Sequence, residues 1–188
     1  SFANKALSKL YKVIHVQSSI SYYLEKSQEL DKVLNIFIRI NSGGTVLSYS
    51  DLLLSIATAQ WEEKDARDEI TKFVDEINNI RNGFNFNKDF VLKSCLILSD
   101  FADIAFKVDN FNKANMLAIE ANWEKISNAI RLAVELVASY GYSRETLVSN
   151  NAIIPIAYYI FKKDLSDSFV SSDNSKEDRK AITEVAPV

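Results

Sequence analysis

The sequence predicts a mainly α-helical fold, a multi-helix bundle-like domain with one orphan β-strand near residues 20–26. Three observations carry that prediction. Glycine (4) and proline (2) are scarce in a chain of 188 residues, too few for the many tight turns of an all-β fold. Apolar residues recur at helical spacing through most of the chain, the pattern of helices that bury one face in a shared core. All four glycines fall at the ends of these periodic runs or in the loops between them, where left-handed backbone closes helix C-termini.

The first element is an amphipathic helix over residues 3–16, with Ala6, Leu7, Leu10, Tyr11 and Ile14 on one stripe. The period then changes: Ile20, Tyr22 and Leu24 alternate with Ser21, Tyr23 and Glu25, the alternation of a half-buried strand. One strand cannot satisfy its own backbone groups, so its partners are expected in a missing part of a longer protein or in another molecule. Helical spacing resumes with Leu30, Val33, Leu34, Phe37 and Ile40 or Ile38, and ends at Asn41-Ser42-Gly43-Gly44. The next helix starts near Ser48 or Ser50, whose hydroxyls suit an N-cap. Asp51 in its first turn complements the helix dipole, and Leu52, Leu53, Ile56 and Ala59 form its stripe as far as Trp61.

A helix over residues 65–82 follows, with Ile70, Phe73, Ile77 and Ile80 inward and Gly83 after it. Residues 87–106 read as one or two helices broken near Ser99-Asp100. A helix over 117–140 carries Ile119, Trp123, Ile126, Ile130, Ala133, Val134 and Val137, and Gly141 ends it. Pro155 lies near the first turn of a helix over 151–163, where its missing N–H costs little. The Ser/Asp-rich residues 166–178 read as a linker, and residues 179–188 as a helix cut short before its stripe is complete. The expected organisation is therefore a helix and strand from the end of a missing core (1–28), a helical domain (29–165), and a linker with a truncated helix (166–188).

Net charge is −3, with 25% charged residues, which is not the footprint of a strongly basic nucleic-acid binder. Residues 1–60 alone are weakly basic, six cations against four anions, a slender basis for direct DNA contact. The single cysteine, Cys95, sits in an apolar run and reads as a small hydrophobe. It has no partner for an internal disulfide, which fits a reducing compartment. No apolar run approaches the roughly 18–20 residues of a membrane span, and no signal-peptide pattern opens the chain. The expected location is cytoplasmic, with no membrane partner.

Chemistry-bearing motifs are few. His15 is the only histidine, so neither a metal-ligand cluster nor a Ser-His-Asp arrangement has sequence support. The acidic run 62–69 reads as the solvated start of a helix. Asp100 and Asp103 share a helix face by spacing but lack a third ligand. Gly43-Gly44 before a helix N-terminus has the elements of an anion cradle, with Ser42 beside it and Arg39 and Asn41 as flanking donors. It lacks the spacing of a Walker loop or a dinucleotide fingerprint, and a helix cap is the simpler reading of the same residues.

Residues 36–53, IFIRINSGGTVLSYSDLL, add a further signal. Phe37, Arg39, Asn41, Gly43, Gly44, Leu47, Ser48, Asp51 and Leu52 match, in order, a pattern of Phe-x-Arg-x-Asn, a glycine pair, and Leu-Ser-x-x-Asp-Leu. This resembles the downstream half of a bacterial family of domains of unknown function at the N-terminus of GmrSD-type modification-dependent restriction endonucleases and related phage-defence proteins. The resemblance extends over most of residues 20–165. It implies a ParB/sulfiredoxin-like core linked to nucleotide-dependent cleavage of modified DNA, with NTP and Mg²⁺ used by the parent protein and no cofactor held by this chain. The family's upstream Asp-Gly-Gln-Gln-Arg motif does not occur here. On this resemblance the chain is a helical accessory fragment, whose partners are the upstream core of the same protein and, through the parent, DNA. Arg39, Asn41, Ser42, Gly43 and Gly44 are then the candidate nucleotide or phosphate contacts. The alternative is a non-catalytic protein–protein interaction scaffold in which the glycine loop is only a turn.

Overall fold

The structure is a computed structural model that describes residues 2–16, 22, 24–27, 32, 33, 36, 48–171 and 175–185. Its described helices are α1 (Phe2–His15), α2 (Tyr49–Gln60), α3 (Ala66–Asn78), α4 (Lys88–Leu98), α5 (Lys113–Ala121), α6 (Trp123–Ser139), α7 (Ile154–Lys163), α8 (Ser168–Ser171) and α9 (Lys176–Val185). Two 3-10 turns, Val108–Phe111 and Asn150–Ile153, precede α5 and α7. The mainly α-helical fold expected from the sequence is the fold observed.

α6 is the central element, with ten of its seventeen residues buried. It packs along α7 and touches α3, α4, α5 and α8, so every core-facing helix from α3 to α8 meets it. α2 lies against α3, α4 and α5 on the far side. The stripe expected on α6 (Ile126, Ile130, Ala133, Val134 and Val137) is buried throughout. On α2 the inward residues are Leu53, Leu54 and Ala57, one position on from the expected stripe, and Ala59 is exposed.

Several helix ends differ from their expected positions, each for a local reason. α3 stops at Asn78, not at 82. The Asn78 side chain leaves the helix to bracket Phe86, donating to its carbonyl (2.9 Å) and accepting from its N–H (2.7 Å). The chain turns through Arg81 (φ 49°) and Gly83 (φ 83°), and Phe84, Phe86 and Phe90 stack at 5.2 and 4.5 Å between centroids. The expected helix over 117–140 starts earlier and is divided at Asn122, which closes α5 and precedes α6. α4 ends at Leu98, and the following segment is irregular, so Asp100 (φ 53°) and Asp103 do not share a helix face. Gly141 closes α6 as expected. Tyr142 donates to the Val137 carbonyl and Gly141 to that of Ala138, the paired bonds that need left-handed backbone at the glycine.

The strand expected over 20–26 is not formed at its described residues. Tyr22 and residues 24–27 are neither helix nor strand, and Tyr22 is 85% exposed. Among the described residues there is no strand to pair with, and an unpaired strand leaves its backbone groups to water. The other residues of that segment, and most of the helix expected from Leu30 to Ile40, lie outside the described residues. Within the Ser/Asp-rich stretch, Phe169 is 2% exposed and joins the core, and Arg179 donates to its carbonyl at 2.6 Å.

Among the described residues one carboxylate is buried in this fold. Glu120, 7% exposed near the end of α5, accepts from the backbone N–H groups of Glu62 (2.9 Å), Glu63 (2.7 Å) and Lys64 (2.7 Å) in the α2–α3 turn. Burial acts to raise its carboxyl. The amides of Glu62, Lys64 and Glu63, with the nearby Lys113 ammonium, outweigh burial and hold it below its ordinary value of 4.5. Glu120→Ala leaves those donors without the carboxylate and is expected to lower unfolding stability by about 2–3 kcal/mol, read from urea denaturation at pH 7. Glu120→Gln, which keeps an acceptor, should lose clearly less. Because the folded-state value is lowered, this contribution is present above pH 4.5 and is lost as pH falls below it. An alanine variant as stable as the parent chain would contradict the structural role.

Candidate functional site

A concavity lies between α4, α7 and the irregular segment that follows α4. It encloses about 580 Å³, within the usual range for ligand sites. Ile97, Phe106, Ile154 and Tyr158 give it an apolar lining, and Lys93 and Asn151 line both it and a smaller polar annex of about 200 Å³. The Lys93 ammonium sits 5.0 Å from the centroid of the Phe106 ring, within cation–π range. Asp100, just past the end of α4, accepts from the Tyr158 hydroxyl at 2.8 Å and pairs with Lys162. That pair ties α7 to α4 beside the cleft. Asp103, expected from spacing to share a helix face with Asp100, pairs with Lys107 at 2.8 Å.

A second distinctive surface is α1. Its apolar stripe forms as expected, but none of the helix is buried: Leu7 is 65% exposed, Leu10 57% and Ile14 62%. Lys5, Lys9 and Lys12 supply its charge, with no Asp or Glu in the helix. His15 is exposed and lies 4.8 Å from the Tyr11 ring, a surface residue as its position suggested.

Arg39, Asn41, Ser42, Gly43 and Gly44 lie outside the described residues. The last part of their motif lies inside. Ser48 is the N-cap of α2: its hydroxyl accepts from the Asp51 N–H at 3.1 Å, and its own N–H donates to the Asp51 carboxylate at 3.3 Å. This reciprocal capping box satisfies two of the end donors of the helix. Asp51 also receives Lys88 at 2.9 Å, which joins the starts of α2 and α4. The Lys88 ammonium, opposed by burial and helped by Ser48, holds the Asp51 carboxyl below its ordinary value. Leu-Ser-x-x-Asp-Leu is thus a helix-start device, and the carboxylate already there disfavours an external anion at the same helix end.

Cys95 is fully buried, and burial pushes its thiol up to about 12, so it stays protonated. Among the described residues no group of three or more His, Cys, Asp or Glu is placed to hold a metal ion. Nor is any described helix long and apolar enough to cross a membrane. Sequence reading missed the cleft because two of its lining residues, Ile104 and Phe106, come from a segment expected to be helical. Its one visible signal was Lys93, the lone charge inside the apolar run 90–98.

No protein-family model matches the chain, and no curated protein is similar to it.

The capping reading makes a direct prediction. Ser48→Ala should cost about 1 kcal/mol and Asp51→Ala about 1–2 kcal/mol, since the aspartate serves both the cap and Lys88. Both are measurable as lowered thermal midpoints. Because the folded-state value of Asp51 is lowered, its share is present above its ordinary value of 3.8 and lost below it. Unchanged midpoints in both variants would remove the structural explanation for this half of the motif.

Proposed function

We propose that this chain is a non-catalytic interaction module, a helical accessory part of a larger GmrSD-like restriction or phage-defence protein that docks through α1 onto the nucleotide-dependent, DNA-cleaving core of its parent. The observation that carries the docking role is the state of α1. Its apolar stripe is formed but exposed from Leu7 to Ile14, whereas α2 to α7 bury theirs in one core. An exposed apolar helix face is the mark of a surface that another molecule covers. Its three lysines and lack of carboxylates suit a groove with an acidic rim, a helix-in-groove mode of recognition. The parentage rests on the motif of residues 36–53, and NTP and Mg²⁺ belong to the core and not to this module.

The double variant Leu10→Glu/Ile14→Glu tests the docking role. It should leave the thermal midpoint of the isolated chain within about 1 °C of the parent value, because neither side chain is buried there, while abolishing assembly of the module with the core. A marked drop in the isolated chain's midpoint would place α1 within its own core and remove the support for docking. Mg-ATP and Mg-GTP should leave that midpoint unmoved. Saturation at about a hundred times a dissociation constant adds roughly 2.7 kcal/mol, so a selective shift would put a nucleotide site in this chain.

A further inference from the structure

We infer that the cleft between α4 and α7 is a binding site for an apolar carboxylate, a hydrophobic group seated on Phe106, Ile97 and Tyr158 with its anionic head at Lys93. The inference is independent of docking through α1.

Charge placement carries it. Two carboxylates beside the cleft already have partners within the protein: Asp100 has Lys162 and the Tyr158 hydroxyl, and Asp103 has Lys107. Lys93 is different. Asp89 lies one turn before it on α4, the spacing at which a helix normally forms an ion pair. Yet among the described residues Lys93 has no carboxylate partner, and its ammonium lies over the Phe106 ring instead. The cleft therefore holds one uncompensated cation at the edge of an apolar lining.

Asp89 faces the polar annex with Asn87, Ser149 and Asn150. Its charge disfavours an anion on that side, so the head group belongs on the Phe106 side of Lys93. The Asn151 amide stands at the same junction and is exposed, adding a donor for the second carboxylate oxygen. An apolar floor with a few converging polar groups is the usual make-up of a small-ligand site, and a carboxylate is the head group that the unpaired ammonium selects. Two sources share this chemistry, a free apolar acid and the C-terminus of a peptide ending in an apolar residue.

Amide chemical-shift titration of the whole chain separates the outcomes, with 4-phenylbutyrate, 4-phenylbutanol, acetyl-Leu-Phe and acetyl-Leu-Phe-amide as probes. The acid should perturb the amides of Ile97, Phe106, Asn151 and Tyr158 saturably, and the alcohol should bind about tenfold more weakly. Lys93→Met keeps the aliphatic stem and should erase that difference without moving the thermal midpoint. Phe106→Ala should weaken acid and alcohol alike. Tighter binding of acetyl-Leu-Phe than of its amide and of phenylbutyrate would name a peptide C-terminus, and the reverse order a free acid. Equal binding of acid and alcohol to the parent chain, or no saturable shift with any probe, would overturn the inference.

Discussion

The capture of the Glu120 carboxylate by three consecutive backbone amides is the constraint around which this fold is arranged. The turn between α2 and α3 must present the N–H groups of residues 62–64 inward, and a buried amide without an acceptor is costly. Glu120 supplies the acceptor from the far end of α5. A neutral side chain would leave three donors sharing one oxygen, whereas a carboxylate offers two, and each bond to it is charge-assisted. The contact ties the turn between α2 and α3 to the last turn of α5.

The aromatic core is assembled beside that anchor. Trp123, three residues on, opens α6 and lies between Trp61 of the α2–α3 turn (5.7 Å) and Phe73 of α3 (5.5 Å). Its indole N–H is satisfied by Glu69 at 2.9 Å. Edge-on aromatic pairs of this kind add to the burial of their own area. With its first turn held so, α6 runs through the middle of the protein and gives α7 the face on which it packs. The cleft between α4 and α7 follows from this placement. Its Lys93 and Tyr158 stand on helices that touch each other and both pack on α6, bridged on one side by the Asp100 pair.

Elements with a strong apolar period were legible in the sequence, and the inner stripes of α3 and α6 are buried as their spacing requires. What sequence alone did not expose were polar contacts between distant segments. Nothing near Glu120 announces that it will meet residues 62–64, because the partners are about sixty positions away. Asn78 and Asn122 look like any helical asparagine until their side chains are seen to bracket Phe86 and to bond the Ala118 carbonyl. Phe169 sits in a Ser/Asp-rich stretch whose composition reads as a linker, yet a single aromatic there is buried. The motif of residues 36–53 was conspicuous as a pattern. Its described part is a capping box, a mechanical device that accounts for Ser48 and Asp51 without any ligand.

Two kinds of surface result, an interior closed by α2 to α7 and a helix, α1, whose apolar face is exposed. The distinction is energetic as well as geometric, since a helix without buried contacts depends on its own weak propensity. Amide hydrogen exchange, followed residue by residue on the whole chain, tests it most directly. The amides of Glu63, Lys64 and the inner faces of α3 and α6 should exchange only through the global unfolding reaction, and those of α1 many orders of magnitude faster. Protection of α1 equal to that of α6, or fast exchange at residues 63 and 64, would contradict the account.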